Sequence, residues 1–327
     1  SLPNRAMAGR VAVADPLSHL LQERENAMPD PIRDVLTELS QALTARTAAA
    51  QAHVAGLAVP QARPLSATLW RPGLAIASEQ VFPKTDRAEL ILTDGRRVPA
   101  RVAGRDPGTN IVALACEAGS EIAPPAAAEP NLGGLALVLA AAEGRPSVRL
   151  TVVRALGPAW HSLAGGRIDR RIALDLVLAR GEEGGPVFDA TGGLLGMSTA
   201  GPRGRALVIP SATIERVMGP LVATGRVERG WLGVALHPVA LPENIAAETG
   251  QDRGLIVMRL APEGPAAKAG LVLGDILIAV GEVPALHPAE IARHLGPDSI
   301  GQKVALKLVR AGAVASLSAV VMARPAP

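Results

Sequence analysis

Residues 181–186 read Gly-Glu-Glu-Gly-Gly-Pro, which sets two carboxylates in a glycine-rich turn. Carboxylate nucleophiles occur among enzymes, so Glu183 by itself does not exclude reactivity. The commoner fate of a surface glutamate pair is to point into solvent. The histidines, at positions 19, 53, 161, 237, 287 and 294, have no ligand-type spacing to cysteines or carboxylates, and His287 and His294 lie seven apart in one helical stretch. No phosphate-binding glycine loop is present, and neither a metal nor another cofactor is expected. Cys116 is the single cysteine and ends the apolar run Ile111 to Cys116. It is expected to be buried as a small hydrophobe rather than to act as a nucleophile, and no disulfide holds the fold.

The elements that must position such a turn are mostly strands. A chain of 327 residues with 48% apolar content suggests two globular domains and an additional terminal segment. The net charge is only +3, and with two Phe and no Tyr there is no aromatic platform for bases, so nucleic-acid binding is not expected. The longest apolar run, Leu132 to Ala142, is interrupted by Gly133 and Gly134 and fits a buried strand rather than a membrane span. The sequence starts at Ser1 without an initiator methionine, which suggests a trimmed natural start.

Three regions are expected: a helical segment at 1–46, a β-rich domain at 47–226 and an α+β module at 227–327. In the first, Ile32, Val35, Leu36, Leu39 and Leu43 recur at helical spacing after Asp30 as a cap and Pro31 as a first helical residue. Packing on its own domain ranks ahead of a partner contact for this stripe. In the second, short apolar runs between Gly, Pro and Asp turns predict a barrel or sandwich. A helix follows Pro210, with Ser211 as its cap and Ile214, Val217, Met218, Leu221 and Val222 on one face before Gly225. The third carries strands at Leu255 to Leu260, Ile276 to Val280 and Val304 to Val309, with short helices near Ala266 to Ala269 and Pro288 to Leu295.

Several segments, in order, resemble the HtrA/Deg family of trypsin-like proteases with PDZ domains. Residues 181–186 are similar to its Gly-x-Ser-Gly-Gly-Pro nucleophile turn, and Leu74 to Val81 to its Thr-Asn-x-His-Val segment. Leu92 to Arg96 and Val102 to Leu114 resemble the hairpin and strand that lead to its aspartate. Asp175, Gly192 to Met197 and Val208-Ile209-Pro210 keep the same register. The resemblance implies a mainly β fold: a two-lobed trypsin-like double β-barrel, then a C-terminal α+β PDZ domain, with an N-terminal helical segment. It sets Gln80 at the family's histidine, Asn110 at its aspartate and Glu183 at its serine. Gly181 and Glu183 fall at the oxyanion-hole positions.

Arg229 to Val234 is similar to a PDZ carboxylate-binding loop and first groove strand. Gly254 to Val257, Pro265 to Leu271 and Gly274 to Leu277 continue that signature. The resemblance implies that Gly230, Trp231, Leu232, Gly233, Val234, Ile291 and Leu295 bind a peptide by β-addition.

Hydrolysis by the family's template needs a hydroxyl nucleophile, an imidazole base and a carboxylate that holds the imidazole. Gln80 cannot take a proton near neutral pH, Asn110 carries no charge and Glu183 is no serine. An acyl-glutamate would need a base to activate its attacking water, which Gln80 does not provide. The chain is therefore expected not to be an enzyme but a pseudoprotease acting as a protein-binding scaffold, chaperone-like factor or regulatory subunit. The alternatives are an endopeptidase with an atypical active site, or an accessory subunit of an envelope enzyme complex. A carboxylate of Glu182 or Glu183 is expected to fold back on the oxyanion donors or to pair with the Gln80 amide. By resemblance, the partners are protein or peptide C-termini and a larger complex, the assembly a homo-oligomer such as a trimer, and the location periplasmic or envelope-associated.

Overall fold

The computed structural model describes residues 31–118, 125–162 and 164–325. The chain divides into two units between Arg46 and Thr47. Helix α1 (Pro31–Ala50) begins at the expected proline, whereas its proposed cap Asp30 lies outside the described residues. Of the apolar stripe, Val35, Leu36 and Leu39 are exposed.

Strands β1 (Val54–Ala58), β2 (Leu65–Arg71), β3 (Leu74–Ser78), β4 (Arg87–Leu92), β5 (Arg97–Asp106) and β6 (Ile111–Cys116) close a barrel in the order β1-β2-β3-β6-β5-β4. Alternate residues fill it: Ala55 and Leu57, Ala67 and Leu69, Ala75 and Ala77, Val112 and Leu114 all belong to one buried cluster. That period of two follows from successive side chains pointing to opposite faces of a strand. Cys116 packs against this cluster from a half-buried position, less enclosed than expected, and burial pushes its thiol pKa up.

A second barrel is built from β7 (Leu135–Ala140), β8 (Ser147–Gly157), β11 (Arg171–Val177), β12 (Pro186–Asp189), β13 (Leu194–Ala200) and β14 (Arg205–Pro210). Its order is β11-β14-β13-β12-β7-β8, and a small hairpin of β9 (Trp160–His161) and β10 (Arg167–Ile168) lies between β8 and β11 in sequence. Ala136, Val138, Ile172, Leu174, Val187 and Val208 form its core. Helix α2 (Ser211–Thr224) then buries Ile214, Val217, Met218 and Leu221, and Gly225 ends it in the left-handed region. Two details differ from expectation. Ser211 is the first helical residue, and its hydroxyl donates to the Leu194 carbonyl rather than capping the helix. Val222 faces solvent.

The C-terminal module contains β15 (Gly230–Trp231), β16 (Val234–Ala240), α3 (Glu243–Thr249), β17 (Arg253–Leu260), α4 (Pro265–Lys268), β18 (Ile276–Val280), β19 (Val283–Pro284), α5 (Pro288–His294), β20 (Lys303–Arg310), β21 (Ala313–Val320) and β22 (Met322–Ala323). The sheet order is β16-β17-β18-β20-β21, so β16 is an edge strand; β15 pairs with β22 and β19 with β18. Leu255, Val257, Leu277, Leu306 and Leu308 make its core. The fold is thus mainly β: two six-stranded barrels, a C-terminal α+β PDZ module and an N-terminal helix.

Candidate functional site

The glycine-rich turn sits between the two barrels and is fastened to both. From β2, the Ser66 hydroxyl donates to the Gly181 carbonyl at 2.6 Å and the Thr68 hydroxyl to the Gly184 carbonyl at 2.8 Å. From β13, the Ser198 carbonyl accepts the Gly184 N–H at 2.9 Å, and the Ser198 hydroxyl donates to the Glu182 carbonyl at 2.8 Å. Only glycine fits twice here. Gly184 has φ +91°, and a Cβ on it would collide with the Ser66 carbonyl oxygen, while one on Gly185 would collide with that of Leu139.

Gln80 follows β3 and Asn110 precedes β6, so pairing of those strands brings both to the turn. The Gln80 backbone N–H donates to Asn110 Oδ1 at 2.6 Å. The Gln80 Nε2 lies 2.7 Å from Glu183 Oε2, 3.1 Å from Thr199 Oγ1 and 3.0 Å from the Ala200 carbonyl oxygen. Asn110 Nδ2 donates to Ser78 Oγ at 3.0 Å and to Thr199 Oγ1 at 2.6 Å, and Ser78 Oγ reaches Glu183 Oε2 at 3.1 Å. Asn110 has φ +61°, a left-handed conformation that asparagine adopts more readily than most residues. The three positions singled out in the sequence therefore meet in one network, and the pairing of Glu183 with the Gln80 amide is present. Sequence reading missed Ser78 and Thr199, which cross-link the network. Their signal was weak, because small hydroxyl residues in strands usually fill core space.

Glu182 does something else. Its Oε2 accepts the Ala179 N–H at 2.6 Å and pairs with Arg149 at 3.1 Å. Neither Glu182 nor Glu183 folds back on the N–H groups of Gly181 and Glu183, and these two donors have no acceptor among the described residues. Beside the turn after β3, burial raises the Glu79 carboxyl pKa, partly offset by the charge and hydrogen bond of Arg105 at 2.9 Å.

The second candidate site is the PDZ groove. A cavity of about 200 Å³ is lined by Gly230, Trp231, Leu232, Gly233, Val234, Ile291 and Leu295, among others. Leu232, Ile291 and Leu295 are 2%, 3% and 6% exposed and belong to the module's core as well as to the cavity lining. The N–H groups of Leu232 and Gly233 have no acceptor among the described residues. Arg229, at the start of this loop, reaches back to the first barrel: its Nη2 lies 2.9 Å from Asp106 Oδ1. Asp106 also accepts the N–H groups of Gly108 and Thr109, so this pair ties the groove loop to the turn that ends at Asn110.

Among the described residues no cluster of His, Cys, Asp and Glu is arranged to hold a metal ion, and no helix is long and apolar enough to cross a membrane.

Residues 65–197 match the trypsin-like peptidase domain and residues 230–321 the PDZ domain. A probable periplasmic serine endoprotease, DegP-like, of Brucella suis biovar 1 is 31% identical over 267 residues, covering 77% of this chain and 51% of that protein. Its namesake in Pseudomonas fulva is 29% identical over 269 residues, covering 78% and 55%. The chain thus spans about half the length of the curated relatives it matches. Among solved structures, the HtrA-type protease AlgW with a decapeptide superposes with TM-score 0.66 at 25% identity, covering 86% of this chain and 98% of that one. The same protease with a tripeptide gives 0.65 at 27% identity, covering 86% and 97%. These relatives are named endoproteases and proteases, which overturns the expectation that the chain is not an enzyme. That expectation rested on three side chains alone, Gln80, Asn110 and Glu183. With its two barrels, its glycine turn and its PDZ module, the chain belongs to the HtrA family.

Proposed function

We propose that this chain is a periplasmic polypeptide-processing protein that captures extended chain ends in its PDZ groove and acts as an endopeptidase with an atypical centre in the cleft between its barrels. The trypsin-like and PDZ domains correspond to residues 47–226 and 227–327. The observation that carries the capture step is the edge position of β16 beside the Leu232 and Gly233 N–H groups, which have no acceptor among the described residues. An extended peptide adds to such an edge, and its terminal carboxylate meets the loop donors. The endopeptidase reading is supported by the relatives' names and by the glycine turn, whose Gly181 and Glu183 N–H groups have no acceptor among the described residues and could receive a developing oxyanion. Peptides ending in a free carboxylate should bind at least tenfold tighter than the same peptides amidated. Equal affinity of the two forms would remove the capture reading.

A second reading, service as an accessory subunit of an envelope complex, is favoured by the exposed apolar side chains Val35, Leu36 and Leu39 on helix α1. Affinity capture with the PDZ module deleted tests it. Retention of the same co-purifying chains would locate the contact on the barrels or the helix.

A further inference from the structure

The asymmetry of the Glu183 carboxylate points to a specific mechanism, and we propose that Glu183 is a general base that activates water directly on the scissile carbonyl, with Gln80 as its positioning residue. This rests on the endopeptidase reading above. Both hydrogen bonds to the carboxylate fall on Oε2, from Gln80 Nε2 at 2.7 Å and Ser78 Oγ at 3.1 Å. Oε1 has no partner among the described residues, and no Arg, Lys or His lies within ion-pair distance of either oxygen there. One oxygen is anchored and the other is left as a vacant acceptor among the described residues, so it can take a hydrogen bond, and then a proton, from a water molecule.

Neighbouring groups supply the remaining requirements. The N–H groups of Gly181 and Glu183 have no acceptor among the described residues and belong to the same turn. Gln80 has all its donor capacity taken up, between Glu183, Thr199 and Ala200, so it holds the base rather than the substrate. The serine that touches this network, Ser78, is 1% exposed and has no imidazole partner among the described residues, so it is not an accessible nucleophile.

The step balances with water as the only co-reactant. Glu183 Oε1 takes a proton from water as the water oxygen bonds to the carbonyl carbon. The carbonyl π pair moves onto its oxygen, which becomes an oxyanion facing the N–H groups of Gly181 and Glu183. When that pair returns, the carbon–nitrogen bond breaks and the departing amine takes the proton from the Glu183 carboxyl. The products are a new carboxyl end and a new amine end, no acyl-enzyme forms, and nothing is oxidised or reduced.

Purified full-length chain acting on unfolded casein tests this. Glu183→Gln keeps size and hydrogen-bonding capacity but removes the basic oxygen, so kcat should fall by about 10² to 10⁴ with KM within about twofold. Gln80→Met should lower kcat without changing KM, and combined with Glu183→Gln it should add no further loss, because the two act as one unit. A serine-directed fluorophosphonate should leave the rate unchanged. Thermal melting of each variant controls for folding, and Glu183→Asp, which shortens the base, gives an intermediate rate. A wild-type rate in Glu183→Gln, inhibition by the fluorophosphonate, or an acid-quenched chain acylated on Glu183 would overturn the mechanism while leaving the endopeptidase reading standing. Absence of cleavage by the wild-type chain would overturn both.

Discussion

Gln80 Nε2 and Glu183 Oε2 approach to 2.7 Å across the junction of the two barrels, one residue following β3 of the first and the other preceding β12 of the second. The contact is both a bridge between lobes and the anchor of a carboxylate. A hydrogen bond to a charged group contributes about 1.5–3 kcal/mol. Gln80→Ala should therefore destabilise the barrel pair by about 1–2 kcal/mol in urea denaturation, after allowance for the exposed position of Gln80. An unchanged midpoint would show that the bridge contributes nothing to folding.

The glycines around the turn should separate sharply in their response to a methyl group. Gly184→Ala adds a Cβ against the Ser66 carbonyl and forces a left-handed φ on alanine, so it should cost more than about 2 kcal/mol. Gly219→Ala, in the middle of α2 with open space around it but directly before Pro220, should change stability by less than about 1 kcal/mol, the gain in helix propensity being offset by the proline ring. Equal and small effects at both positions would contradict the close packing of the turn.

How much of this was legible in the sequence depended on locality. Runs such as Leu74 to Ser78 and Ile111 to Cys116 predict strands because their own residues are apolar and β-forming, and both appear. Pro186–Asp189 and Ala313–Val320 did not stand out, the first because it is only four residues long and opens with proline, the second because small and polar residues interrupt its pattern. At the site, Gln80, Asn110 and Glu183 were found through motif register. Ser78, Thr199 and the Arg229–Asp106 tie depend on side chains far apart in sequence, which no local pattern reports.

Arg229 and Asp106 form a tie that should be needed to hold the groove loop against the barrel. Asp106 has a side chain only 4% exposed, and Arg229 one 23% exposed. Removing one partner leaves a buried charge, which costs about 3 kcal/mol. Arg229→Ala should speed proteolytic nicking at residues 225–229 by tenfold or more while leaving the β20 amides protected in hydrogen exchange. No change in nicking would show that the tie is dispensable.

Asp275 gives the PDZ module an acid sensitivity with a definite sign. Burial pulls its carboxyl pKa up, but the hydrogen bond from Arg310, the Val272 N–H and the Arg310 charge outweigh it and hold the group below the usual range. A carboxyl with a depressed folded-state pKa contributes stability fully present above its unfolded value of about 4, lost as pH falls through the folded value. Asp275→Asn should cost about 2 kcal/mol at pH 7, with allowance for the half-exposed Arg310. That difference should shrink below pH 4. Hydrogen exchange over residues 276–280 at pH 7 and pH 3 measures it, and a difference independent of pH would contradict the ion pair's role.

The most direct test of the central claim is the appearance of new amine ends in an unfolded polypeptide incubated with the full-length chain, followed by mass spectrometry. The account predicts new ends that accumulate in proportion to the amount of chain and are lost in Glu183→Gln. New ends at the same rate in Glu183→Gln, or none above a chain-free control at any amount, would contradict it.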